Sequence, residues 1–115
     1  MDYNLALHVD MDDFAVMKLA LNNISNYYTA LSSETFSVVL VANGSAVVLL
    51  ADAKSELLAK ASELASRGLE MRVCSNALRA HNILAENIWP MCRVVPAGIV
   101  ELVHLQRAGY VYIKP

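Results

Sequence analysis

Cys74 closes a short alternating stretch, Leu69 to Cys74 (LEMRVC), and Ser75 and Asn76 open a helical pattern directly after it. A sulfur so placed stands where α/β sheets gather ligands, at the carboxyl end of a strand and the amino end of a helix. Free N–H groups there favour a thiolate over a thiol, so the chemistry on offer is that of a nucleophilic sulfur. Packing is the competing role, because cysteine is among the most buried residue types. Arg72, two residues back on the same strand face, would favour the thiolate if both side chains share one space. A solvated arginine on a half-exposed strand is the equal alternative.

The other reactive types are scattered. Cys92 enters a short strand between Met91 and Arg93 and lacks a helix N-terminus, so it reads as structural. His8 lies inside an apolar strand, where a hydrogen-bonded core histidine is the default. His81 sits more than a turn beyond Cys74 and makes a weak base for it, and His104 reads as a solvated or interface residue. Asp10, Asp12 and Asp13 follow the first strand, as the metal-binding acids of response-regulator receivers do. The third strand here ends in cysteine rather than aspartate, so capping of the next helix is the better reading, and no metal site is expected. Asn43-Gly44 is a turn signal at the end of the second strand. No spaced-glycine dinucleotide fingerprint and no Gly-rich loop ending in Lys-Ser or Lys-Thr is present, so no cofactor is expected.

Strands and helices alternate around these residues. Asn4–Val9 and Phe36–Ala42 are apolar strands, the second nearly continuous, as in strands covered on both faces. Between them, Phe14, Met17, Leu21, Ile24, Tyr28 and Leu31 mark one helix face. Residues 45–51 are ambiguous between a helical turn and an extended piece. Asp52 is expected to cap a helix to Arg67, which Gly68 stops. A helix from Asn76 to about Glu86 follows the third strand. Met91–Val95 is a short fourth strand, Pro96 starts a helix to Ala108, and Tyr110–Ile113 is the fifth strand. The expected fold is a single α/β domain over residues 1–115, three-layered α/β/α with a five-stranded parallel sheet. The second strand is too apolar for an edge, which disfavours the order 2-1-3-4-5 and favours 4-3-2-1-5. Three crossovers in one direction then leave the other sheet face thinly covered.

Composition points the same way. The chain of 115 residues is 57% hydrophobic and 17% charged, against roughly 45–50% and ~25% in ordinary soluble domains. Such an excess in a small domain implies surface buried between subunits, and the bare sheet face is the candidate. A net charge of −2 with scattered Lys and Arg gives no footprint for nucleic acid. No apolar run approaches a membrane span, and the first ten residues lack signal-peptide features. Two unpaired cysteines fit a cytoplasmic chain.

The pieces HVD at 8–10, LNNISN at 21–26, VVLVANGSAV at 38–47, VCSN at 73–76 and above all VVPAGIVELVHLQRAGYVYIKP at 94–115 resemble the DsrE/DsrF-like family, which includes sulfur-relay and intracellular sulfur-oxidation proteins. The residues after Cys74 (SNALRAHNI) look like its uncharacterised single-gene branch. The resemblance implies an α/β/α domain assembling into homotrimers or homohexamers. It also implies a cysteine at position 74 that carries a persulfide between a donor and an acceptor protein. The function expected is a sulfur carrier, a sulfurtransferase-like protein, with Cys74 as acceptor of sulfane sulfur and Asn43, Gly44, His8, Ser75 and Asn76 on the surrounding rim. No CxxC pair supports dithiol redox chemistry. The alternative is a non-catalytic oligomeric module of the same fold that binds a small ligand or partner.

Overall fold

Five parallel strands form one sheet in the order β4-β3-β2-β1-β5, in a computed structural model that describes residues 3–115. The strands are β1 (Leu5–Val9), β2 (Val38–Ala42), β3 (Glu70–Cys74), β4 (Cys92–Val95) and β5 (Val111–Ile113). The helices are α1 (Phe14–Ala30), α2 (Glu56–Ser66), α3 (Ser75–Ala80) and α4 (Gly98–Arg107). Every residue of β1 and β2 is buried, which the near-continuous apolar runs require of strands covered on both faces.

Side chains alternate across the strands and so divide the interior in two. Leu5, Leu7, Val38, Leu40, Met71 and Val73 face the larger core with Met17, Leu21 and Ile24 of α1 and Leu57, Ala61 and Leu64 of α2. The opposite face holds a smaller core of Ala6, Val39, Val41, Leu102 and Leu105, supplied by α4 alone. The asymmetry follows from the topology. Crossovers β1→β2→β3→β4 step in one direction and keep their helices on one face, while the jump from β4 across to β5 carries α4 over the other.

Three element ends differ from the sequence reading. Residues Gly44–Ala51 form a 3₁₀ helix, and Asp52 ends it rather than starting α2. The Asp52 carboxylate accepts from the Lys54 N–H, and Ser55 Oγ accepts from Leu57 N to cap α2. α3 stops at Ala80 because Asn82 turns left-handed (φ 56°), and the Ile83 N–H donates to the Leu78 carbonyl in a Schellman-type close. α4 begins at Gly98 rather than Pro96, since Ala97 is extended (φ −148°, ψ 124°) and acts as N-cap with no side-chain acceptor. No helix among the described residues is long and apolar enough to cross a membrane.

Candidate functional site

Parallel register brings the candidate residues to one sheet face. His8 pairs with Val41, and Val41 with Arg72; one step on, Ala42 pairs with Val73. Asn43 and Cys74, the next residues of their strands, therefore stand side by side and share the α4 face with His8. Cys74 is the N-cap of α3, and its Sγ accepts from the Ala77 N–H at 3.4 Å. The sulfur thus takes the place usually held by a serine or aspartate oxygen, and it satisfies an otherwise unpaired N–H of the first turn. The residue is buried, with 7% of its surface exposed.

Gly98 explains how α4 comes so close. A Cβ on residue 98 would stand 3.0 Å from Asn43 Cβ, 3.3 Å from Cys74 Cβ and 3.4 Å from Asn43 Nδ2. No side chain is tolerated there without displacing a neighbour, so the glycine is a condition of the close approach. His8 is fixed at both ring nitrogens: Nδ1 lies 2.7 Å from the Tyr112 hydroxyl and Nε2 lies 2.7 Å from Asn43 Oδ1. Tyr112, Gly98, Asn43, His8 and Cys74 form one contiguous constellation.

Ser75 and Asn76 border the neighbouring cleft of about 500 Å³, which lies between the start of α3 and the Val94–Ala97 segment. Arg79 lines it too, donating from Nη1 to Ser75 Oγ at 3.3 Å and from Nη2 to Asn76 Oδ1. Gly44 serves the backbone. Its φ is +54°, and a Cβ there would lie 2.6 Å from the Asp10 carbonyl oxygen, so only glycine allows this turn.

Arg72 directs its charge elsewhere: Nη2 lies 2.7 Å from Glu70 and Nη1 lies 3.2 Å from Glu101 on α4. The guanidinium thus ties the start of α4 to β3 and has carboxylate partners of its own. Asp13 caps α1, accepting from Ala15 N and Val16 N, while Asp10 meets Lys114 at 3.3 Å. His81 ends α3, a helix length from Cys74, and His104 is exposed on the last turn of α4. Burial pushes the Cys92 thiol up to about 12, which keeps it an un-ionised packing group.

Sequence reasoning missed Tyr112, Gly98 and Arg79. Arg79 was legible as the residue four after Ser75 and three after Asn76 on one helix face. The other two left no local signal.

No curated protein sequence matches this one. Among solved structures, MTH1491 from Methanobacterium thermoautotrophicum, a protein of unknown function, is 32% identical. The match covers 99% of this chain and 100% of that one, with a TM-score of 0.90. BT1422 from Bacteroides thetaiotaomicron, also of unknown function, shares the fold at 13% identity and a TM-score of 0.66, covering 97% of this chain and 94% of its own. The sequence profile of the DsrE/DsrF-like family matches residues 12–115. The chain belongs to the DsrE/DsrF-like family, a family associated with sulfur relay.

Proposed function

We propose that this protein is a sulfur carrier in which Cys74 accepts sulfane sulfur and passes it on. The observation that carries this reading is the Cys74 sulfur serving as N-cap of α3, where the Ala77 N–H stabilises a sulfur anion. In the loading step, the Cys74 thiolate attacks the outer sulfur of a donor persulfide, R–S–SH. A new S–S bond forms at Cys74, the donor S–S bond breaks, its electron pair leaves with R–S⁻, and the proton stays on the transferred sulfur. An acceptor thiolate then attacks that outer sulfur and Cys74 departs as thiolate. Neither step has net oxidation, and both suit a reducing, cytoplasmic compartment.

Mass spectrometry after treatment with inorganic polysulfide tests the proposal. A single added sulfur on Cys74, absent from Cys74→Ser, is the expected result. Equal labelling of Cys92 or no adduct at all refutes it.

The acting unit in this reading is a homotrimer or homohexamer. Support comes from the apolar side chains on the outer surface of α4 and β5, among them Ile99 (64% exposed), Val100, Val103, Val111 and Ile113. Ile99, Val100 and Val103 lie on the one helix that crosses the smaller-core face, and Val111 and Ile113 stand on the edge strand beside Leu5 and Leu7. The same surface also favours a second reading, a non-catalytic oligomeric module that binds a small ligand or partner protein. In that case the polysulfide treatment leaves Cys74 unmodified while the assembly persists.

A further inference from the structure

Tyr112 belongs to the terminal strand β5, yet its hydroxyl reaches inward to His8, 104 residues earlier in the chain. The donor and acceptor roles along this contact follow from simple chemistry. An amide oxygen can only accept, so Nε2 of His8 carries the proton toward Asn43 Oδ1. In the neutral ring Nδ1 is then the acceptor and takes the Tyr112 O–H. With its oxygen committed to His8, Asn43 turns its Nδ2 group the other way. That nitrogen lies 3.4 Å from the point a residue-98 Cβ would occupy, and Cys74 Cβ borders the same point at 3.3 Å.

Resting on the sulfur-carrier reading, we propose that Tyr112 and His8 are positioning residues that act through Asn43. They orient its amide so that N–H donors, not oxygen lone pairs, face the Cys74 side. The site is thereby specific for negative charge on the sulfur it has received: after transfer from R–S–SH the outer sulfur gives up its proton to solvent and rests on Cys74 as the perthiolate Cys74–S–S⁻. The reverse orientation, with Asn43 Nδ2 donating to Nε2, would turn the oxygen toward the sulfur and repel that charge. The edge strand β5 therefore sets, through His8, the orientation of the Asn43 amide beside Cys74.

The test compares alkylation of Cys74 by iodoacetate, an anion, and by iodoacetamide, its neutral analogue. Because the reagents are similar in size, their rate ratio cancels access and ionisation of the sulfur and reports the local preference for negative charge. Asn43→Asp is expected to lower the iodoacetate-to-iodoacetamide ratio about tenfold, and Tyr112→Phe, which removes one oxygen atom, about threefold. The ¹⁵N spectrum of the His8 imidazole in the unaltered protein supplies a readout independent of any variant, and the Nε2–H tautomer is expected. A ratio unchanged within about twofold in Tyr112→Phe, whatever Asn43→Asp does, or an Nδ1–H tautomer overturns the proposal. Failure of the carrier reading shows separately, as absence of the polysulfide adduct with the ratio still altered by Asn43→Asp.

Discussion

Replacing Gly98 by alanine sets two calculable effects against each other. The added methyl would stand 3.0 Å from Asn43 Cβ, 3.3 Å from Cys74 Cβ and 3.4 Å from Asn43 Nδ2. Carbon pairs rest at about 3.5–4.0 Å, so the nearest contact is too short by about half an ångström. Overpacking of this kind costs about 1–3 kcal/mol. In the other direction, Gly98 is the first residue of α4 and its φ lies outside the left-handed region. Alanine there gains up to ~1 kcal/mol from helix propensity and from a less flexible unfolded chain. The net loss in urea unfolding is therefore about 0–3 kcal/mol. The local effect does not cancel. Strain is relieved by moving Asn43 or the start of α4, which uncovers the sulfur, so alkylation of Cys74 by iodoacetamide should accelerate at least ~threefold, since strain is met by shifts of side chain and backbone. A variant stabilised by about 1 kcal/mol, with Cys74 reacting at the original rate, would show propensity acting alone. The crowding of α4 against Asn43 and Cys74 would then exert no constraint.

Four further outcomes are expected. In the folded protein at neutral pH alkylation should be confined to Cys74, because burial pushes the Cys92 thiol up to about 12; equal labelling by mass spectrometry would contradict this. Unfolding stability should fall as pH rises from 9 toward 12, since over that window the unfolded chain releases the Cys92 proton and the folded chain retains it. Cys92→Ala should flatten this part of the pH dependence, and a slope unchanged in that variant counts against the assignment. Gly44→Ala should cost about 2–4 kcal/mol in urea unfolding from its left-handed backbone and its contact with the Asp10 carbonyl; a change under about 0.5 kcal/mol refutes the requirement for glycine. Ile99→Asp combined with Val103→Asp should reduce the light-scattering mass to the 12.6 kDa of one chain without loss of circular dichroism, and an unaltered oligomer would place the interface elsewhere.

The sheet was legible because its cause is local and statistical. A valine-rich run at 36–42 admits a central strand only, and that single constraint separates 4-3-2-1-5 from the common alternative. Cys74 was legible for a similar reason, as a strand end followed by a helix start. Helix ends were less so. Asp52 and Ser55 are both good caps three residues apart, and the choice fell to the 3₁₀ helix that consumes Asp52. Asn82 ends α3 through a left-handed backbone that a helical-looking sequence does not announce. Asn43 was placed with His8 on one strand-end rim, whereas Tyr112 was beyond reach, because it meets His8 through strand register rather than spacing. Gly98 looked like an ordinary glycine in a helix until Asn43 and Cys74 were seen against it. Arg72 shows the converse: sequence proximity suggested a partner for Cys74, and Glu101, 29 residues on, engages the guanidinium instead.

The placement of α4 and β5 bears on how the protein is made. They leave a ribosome after β1 to β4, and among the described residues α4 roofs the sheet face that carries His8, Asn43 and Cys74. A nascent chain can pack α1 and α2 against β1 and β2 while the Cys74 thiol is still bare to the surroundings. The surroundings of Cys74 are therefore completed only once α4 and β5 have been made, and a chain stalled before Gly98 would present a folded layer with Asn43 and Cys74 uncovered.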